Sequence, residues 1–134
     1  MSGVRPITPA LLRSYRLSVY SAGGVSVRVG RIARRSMIEG TNAAILLSAC
    51  NPGGRRRPDR WNLRMMTRLA ERLRRTPSAT GEGRLGEWSE PLFAVASPLA
   101  RGVRLARMFR QNAVVLVQTG RKTQLVLLAP TSNA

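Results

Sequence analysis

Ala43-Ala44-Ile45-Leu46-Leu47-Ser48-Ala49, closed by Cys50-Asn51-Pro52-Gly53-Gly54, is the stretch on which the fold turns. The run is too short for a membrane span and has the length of a buried strand, so it predicts the centre of a sheet. Pro52 restricts Asn51 and the two glycines permit a bend, which ends the strand there. Beyond the bend, Arg55, Arg56, Arg57 and Arg60 make a strongly positive loop. From Trp61 to Arg75, Met65, Met66, Leu69 and Leu73 recur at helical spacing, with Arg64, Arg68, Arg72 and Arg75 in an outward row. Thr76-Pro77 ends that helix, and Ser78 to Glu90 reads as a Gly-rich polar connection.

Farther along, Pro91 to Ala96 predicts a second core strand. Ser97-Pro98 predicts a serine cap with proline in the first helical position. The helix it starts has Leu99, Gly102, Val103, Ala106 and Phe109 inside and Arg101, Arg104, Arg107 and Arg110 outside. Ala113 to Val117 and Thr123 to Leu128 suit a closing hairpin. On the N-terminal side, Thr8-Pro9 caps a short helix, and Tyr15 to Tyr20 alternates as a strand that turns at Gly23-Gly24 into Val25, Val27 and Val29. The expected class is α+β, a mixed or mainly antiparallel sheet with two principal helices packed on one face. Residues 15–128 form the expected domain, with 1–14 a flexible or short helical segment and 129–134 a flexible tail.

Composition narrows the chemistry. The 134 residues carry 23 Lys and Arg, of which Lys122 is the one lysine, against six acidic residues, a formal charge of +17. Such a field attracts polyanions, and guanidinium groups grip phosphate in a bidentate fork. RNA or DNA is therefore the expected partner, with an acidic protein the alternative. The chain has no histidine and one cysteine, Cys50, so a histidine base, a Ser-His-Asp triad, a histidine zinc site and an intrachain disulfide are excluded. No secretory leader or run of about 18 apolar residues occurs, which predicts a cytoplasmic protein without integral membrane association. No cofactor or metal is expected, and nothing specifies an oligomeric state.

The order of several short motifs resembles that of a family of uncharacterised bacterial proteins, the domain-of-unknown-function family 3293. The matching residues are Tyr15 and Tyr20, Asn51-Pro52, Asn62, Trp88-Ser89-Glu90-Pro91 and Phe109-Arg110-Gln111-Asn112-Ala113, within a span from Tyr15 to about Leu128. Two departures stand out: Cys50 where the family carries a larger residue, and the thinly acidic Gly81 to Glu87 connection. The resemblance implies a fold and no reaction.

Two candidate sites follow. Arg55, Arg56, Arg57, Arg60, Arg64 and Arg68 would follow phosphates without reading bases. Asn51, Trp88, Glu90, Gln111 and Asn112 would form a polar pocket if the fold brings them together. Each also has a structural reading: Asn51 holding a turn, Gln111 and Asn112 ending a helix in a left-handed conformation, Trp88 covering a sheet edge, and Glu90 pairing with an arginine. Glu90 is the candidate acid or base. Cys50 is a nucleophile only if arginines lower its pKa.

Overall fold

The computed structural model of the chain describes residues 5–132. Three helices, α1 (Pro9–Leu17), α2 (Asp59–Arg72) and α3 (Leu99–Met108), accompany seven strands. These are β1 (Val19–Ala22), β2 (Val25–Val27), β3 (Ala43–Leu47), β4 (Ser78–Leu85), β5 (Trp88–Val95), β6 (Ala113–Gln118) and β7 (Gln124–Leu127). They form one α+β sheet in the order β2-β1-β4-β5-β3-β6-β7, and every neighbouring pair is antiparallel rather than mixed.

The apolar run singled out in the sequence is β3, with β5 on one side and β6 on the other. Its alternation divides the interior in two. Ala44 and Leu46 join Tyr20, Val25, Val27, Leu92 and Val115 in one cluster. Ile45 and Leu47 join Met66 and Leu69 of α2 and Leu105 and Ala106 of α3 in the other. Full burial of an Ile or Leu side chain stabilises by roughly 1.5–3 kcal/mol, so β3 contributes to both halves of the core. The sheet curls. Val29 bridges Thr123, Ile32 bridges Lys122 and Ala33 bridges Thr119, which ties the segment after β2 to the β6–β7 hairpin. Ala33, Met37 and Ile38 from that segment complete the first cluster.

Several elements differ from their sequence expectation. Tyr15 belongs to α1, because Thr8 accepts a hydrogen bond from the Leu11 N–H at 3.2 Å and the helix, once capped, runs on to Leu17. Helix α2 begins at Asp59, so Arg60 lies within it and not in the loop, and Leu73 already sits at its C-terminal cap. Pro98, not Ser97, occupies the N-cap position of α3, and the Ser97 hydroxyl bonds the Pro98 carbonyl instead. Leu105, absent from the expected inner face, is buried, whereas Leu99 is exposed.

The largest difference is β4, expected to be a connection. Its glycines are what the strand requires: a Cβ on Gly81 would stand 2.0 Å from the Ser21 carbonyl oxygen, and the Tyr20 ring lies over Gly83, 3.3 Å from where a Cβ would be. Gly86 and Glu87 then form the two-residue turn into β5, with Leu85 opposite Trp88. Outside the expected 15–128 span, Ile7 is fully buried and bridges Thr131.

Candidate functional site

The site begins where β3 stops. Asn51 takes a left-handed conformation (φ 47°, ψ 59°), and the chain reverses through a 3-10 turn, Pro52–Gly54. The Asn51 side chain stabilises that reversal. Its Oδ1 accepts from the Arg57 N–H at 2.8 Å and from Asn62 Nδ2 at 2.9 Å, while the Asn51 N–H donates to Asn62 Oδ1 at 3.0 Å. Its remaining arm, Nδ2, donates to Glu90 Oε1 at 2.9 Å. One side chain thus ties the loop to α2 and to β5. Glu90 takes this amide as its partner in place of the expected arginine; the ion pair found among the described residues joins Arg84 to Glu82 at 3.6 Å.

A second contribution comes from the end of α3. The left-handed residue there is Arg110 (φ 56°) rather than Gln111 or Asn112. The Gln111 N–H donates to the Ala106 carbonyl at 2.9 Å and the Arg110 N–H to the Arg107 carbonyl at 3.0 Å, the paired bonds of a Schellman end. This termination turns the Gln111 Nε2 onto the Cys50 carbonyl at 3.0 Å and the Phe109 carbonyl at 3.3 Å. Asn112 is buried, and its Oδ1 accepts from the Tyr15 hydroxyl. Tyr20 in turn donates its hydroxyl proton to the Tyr15 carbonyl at 2.8 Å.

These pieces surround a cavity of about 410 Å³. Asn51, Trp88, Glu90 and Gln111 line it together with Tyr15, Ser48 and Arg56, over apolar side chains that include Leu46, Leu92 and Val115. Asn112 stands behind the wall and holds Tyr15. Trp88, 46% exposed, is the least covered of the aromatic lining residues. The size and the mostly apolar wall with a few convergent polar groups are those of a small-molecule site.

Burial governs the electrostatics. It pushes the Glu90 carboxyl up to about 7, against the hydrogen bond from Asn51 that pulls it down. Burial, with Glu90 adding to it, holds the Tyr15 phenol well above its ordinary value, and burial pushes Tyr20 up to about 12. The Cys50 thiol is likewise pushed up to about 11 by burial, a shift away from thiolate. Glu90 is therefore the group in this wall that changes protonation near neutral pH. Among the described residues no three Cys, Asp or Glu side chains gather to hold a metal ion.

The six arginines expected to act together are divided. Arg56 faces the Glu90 cavity, and Arg60 and Arg64 are exposed outside both hollows. Arg55, Arg57 and Arg68 line a second hollow of about 390 Å³, with Arg5, Arg72 and Arg110, which the sequence reading left out of the patch. Trp61, Met65 and Phe109 contribute apolar surface there, and the Arg57 guanidinium lies 5.4 Å from the Trp61 ring centre. Among the described residues no helix is long and apolar enough to cross a membrane.

Sequence reasoning also missed Ser48 and the site role of Tyr15. The signal for Tyr15 was its place in the motif order, which the period-two pattern hid. No curated protein and no solved structure matches the chain. The family model described as a protein of unknown function, DUF3293, matches residues 47–114, a stretch that holds Asn51, Asn62, Trp88, Glu90, Gln111 and Asn112 and leaves out Tyr15 and Tyr20. That match takes in half of the chain, and the protein belongs to this family.

Proposed function

We propose that the protein binds a small organic ligand in the Glu90 cavity and that Glu90 exchanges a proton with it. The observation that supports this reading is the convergence of Asn51, Trp88, Glu90 and Gln111 on one partly apolar hollow. A carboxyl that titrates near neutrality and is oriented by a fixed amide can serve as either acid or base there. Ligands from a fragment set that bind the wild-type chain are expected to shift the amide resonances of Ser48, Trp88 and Gln111. Their affinity should fall roughly tenfold in Glu90→Gln, as expected for loss of a hydrogen bond to a charged group. Binding indifferent to that substitution would remove the reading.

A second reading rests on the other hollow. Six arginines, Trp61 and no acidic residue line it, which suits phosphate contact with RNA or DNA. Association with unrelated single strands should weaken with salt, at a slope of about −0.7 per phosphate neutralised. Replacing Arg55, Arg57, Arg68 and Arg72, which line this hollow, together by Gln should lower affinity for all of them by a similar factor, roughly tenfold or more. Affinity that stays level between low and moderate salt rules out the phosphate-led contact. Partners that survive nuclease treatment in a pull-down would favour an acidic protein instead.

A further inference from the structure

The hydroxyl groups of the Glu90 cavity are already committed as donors. Tyr15 gives its proton to Asn112, Tyr20 to the Tyr15 carbonyl, Ser48 to the Pro91 carbonyl, and Ser18 to the Ser14 carbonyl. The Gln111 amide spends its Nε2 on two backbone carbonyls. With Glu90 ionised, what these groups still offer a ligand is acceptor capacity: the Gln111 Oε1 and the Glu90 oxygen not engaged by Asn51. A wall of this kind discriminates in favour of a molecule that brings N–H donors, since a ligand acceptor would meet another acceptor across the gap.

Two further residues narrow the chemistry. Trp88 offers an exposed indole for a flat ring. Arg56, exposed and on the same cavity, offers a guanidinium suited to phosphate. Donor-bearing ring and anion are thus called for in one ligand, within a volume of about 410 Å³.

Resting on the reading of the Glu90 cavity as a ligand site, we infer that the ligand is a nucleotide whose base carries an exocyclic amino group, with that group toward Glu90 and the phosphate toward Arg56. A free mononucleotide and one residue of a single strand present the same chemistry. A carboxylate accepts from the amino group of cytosine in the same way in base readout.

Calorimetric titration with the 5′-monophosphates of guanosine, inosine, cytidine and uridine tests this. Guanosine and cytidine monophosphates should each bind roughly tenfold tighter than inosine and uridine monophosphates, the discrimination of one good base contact. Glu90→Gln should erase that preference. Arg56→Gln should weaken the guanosine and cytidine monophosphates while leaving the corresponding nucleosides unchanged. An octanucleotide whose binding needs Glu90 when the monophosphates do not bind identifies the strand as the source; monophosphate binding identifies the free nucleotide. Equal affinity across the four bases, in a chain where binding still depends on Glu90, overturns the nucleotide and leaves a ligand site. Fragment binding that needs Glu90, with neither monophosphate nor octanucleotide bound, does the same. No Glu90-dependent ligand of any kind overturns both.

Discussion

Between pH 4.5 and pH 8 the folded protein is expected to lose about 3 kcal/mol of stability through Glu90. Burial raises this carboxyl from 4.5 to about 7, so between those values the folded chain holds a proton that the unfolded chain has released. The contribution is complete below pH 4.5 and is lost as pH rises through 7, after which it is flat. Urea unfolding of the wild-type chain and of Glu90→Gln at a series of pH values isolates it, because glutamine carries no proton to lose. The difference between the two stabilities should slope downward through that window. A level difference would mean that Glu90 keeps an ordinary carboxylate affinity, and its use as a neutral-pH acid or base would go with it.

Gly23→Ala is expected to be the more damaging of two neighbouring substitutions. Gly23 and Gly24 both have positive φ, at 58° and 76°, in the turn between β1 and β2. The left-handed conformation alone costs an alanine roughly 1–2 kcal/mol at either position. At Gly23 the new Cβ would also stand 2.0 Å from the Met37 carbonyl oxygen, whereas nothing lies within 4 Å at Gly24. Met37 sits in the core inside the curl, so its backbone cannot withdraw without disturbing packing, which costs a further 1–3 kcal/mol or so. Thermal or urea unfolding should place Gly23→Ala about 3 kcal/mol or more below wild type and Gly24→Ala about 1 kcal/mol below. Equal losses at the two sites would show that the turn does not press on Met37.

What the sequence made legible was whatever rests on local pattern. The β3 run, the apolar stripes of α2 and α3, the Gly23-Gly24 hairpin and the closing strands carry their own period or punctuation. Strand β4 was hidden because its glycines answer to distant partners, the Ser21 carbonyl and the Tyr20 ring, which no local pattern contains. Tyr15 was misplaced for a related reason. Tyr15, Leu17 and Val19 satisfy a period of two, but a capped helix had already begun at Pro9.

The candidate site shows the same division. Asn51, Trp88, Glu90, Gln111 and Asn112 were named from motif and residue chemistry, and all but Asn112 line one cavity. Their partners were not legible, since Asn51 to Glu90 and Tyr15 to Asn112 join residues far apart in the chain. Arginine clustering in sequence was a weaker guide. The extended chain that leaves the turn at Gly53 and Gly54, ahead of α2, sends Arg56 to one hollow and Arg55 and Arg57 to another.

The bridges that draw the two margins of the sheet together have a bearing on crowded conditions. The Gly30 N–H donates to the Thr123 carbonyl at 2.8 Å, the Thr123 N–H to the Arg31 carbonyl at 2.8 Å, and the Gly120 N–H to the Ala33 carbonyl at 2.7 Å. Main-chain groups that could otherwise template a foreign strand are spent within the molecule along this seam. Copies held at high concentration therefore have less opportunity there to zip together into fibrils, and recognition at that margin has to be made by side chains.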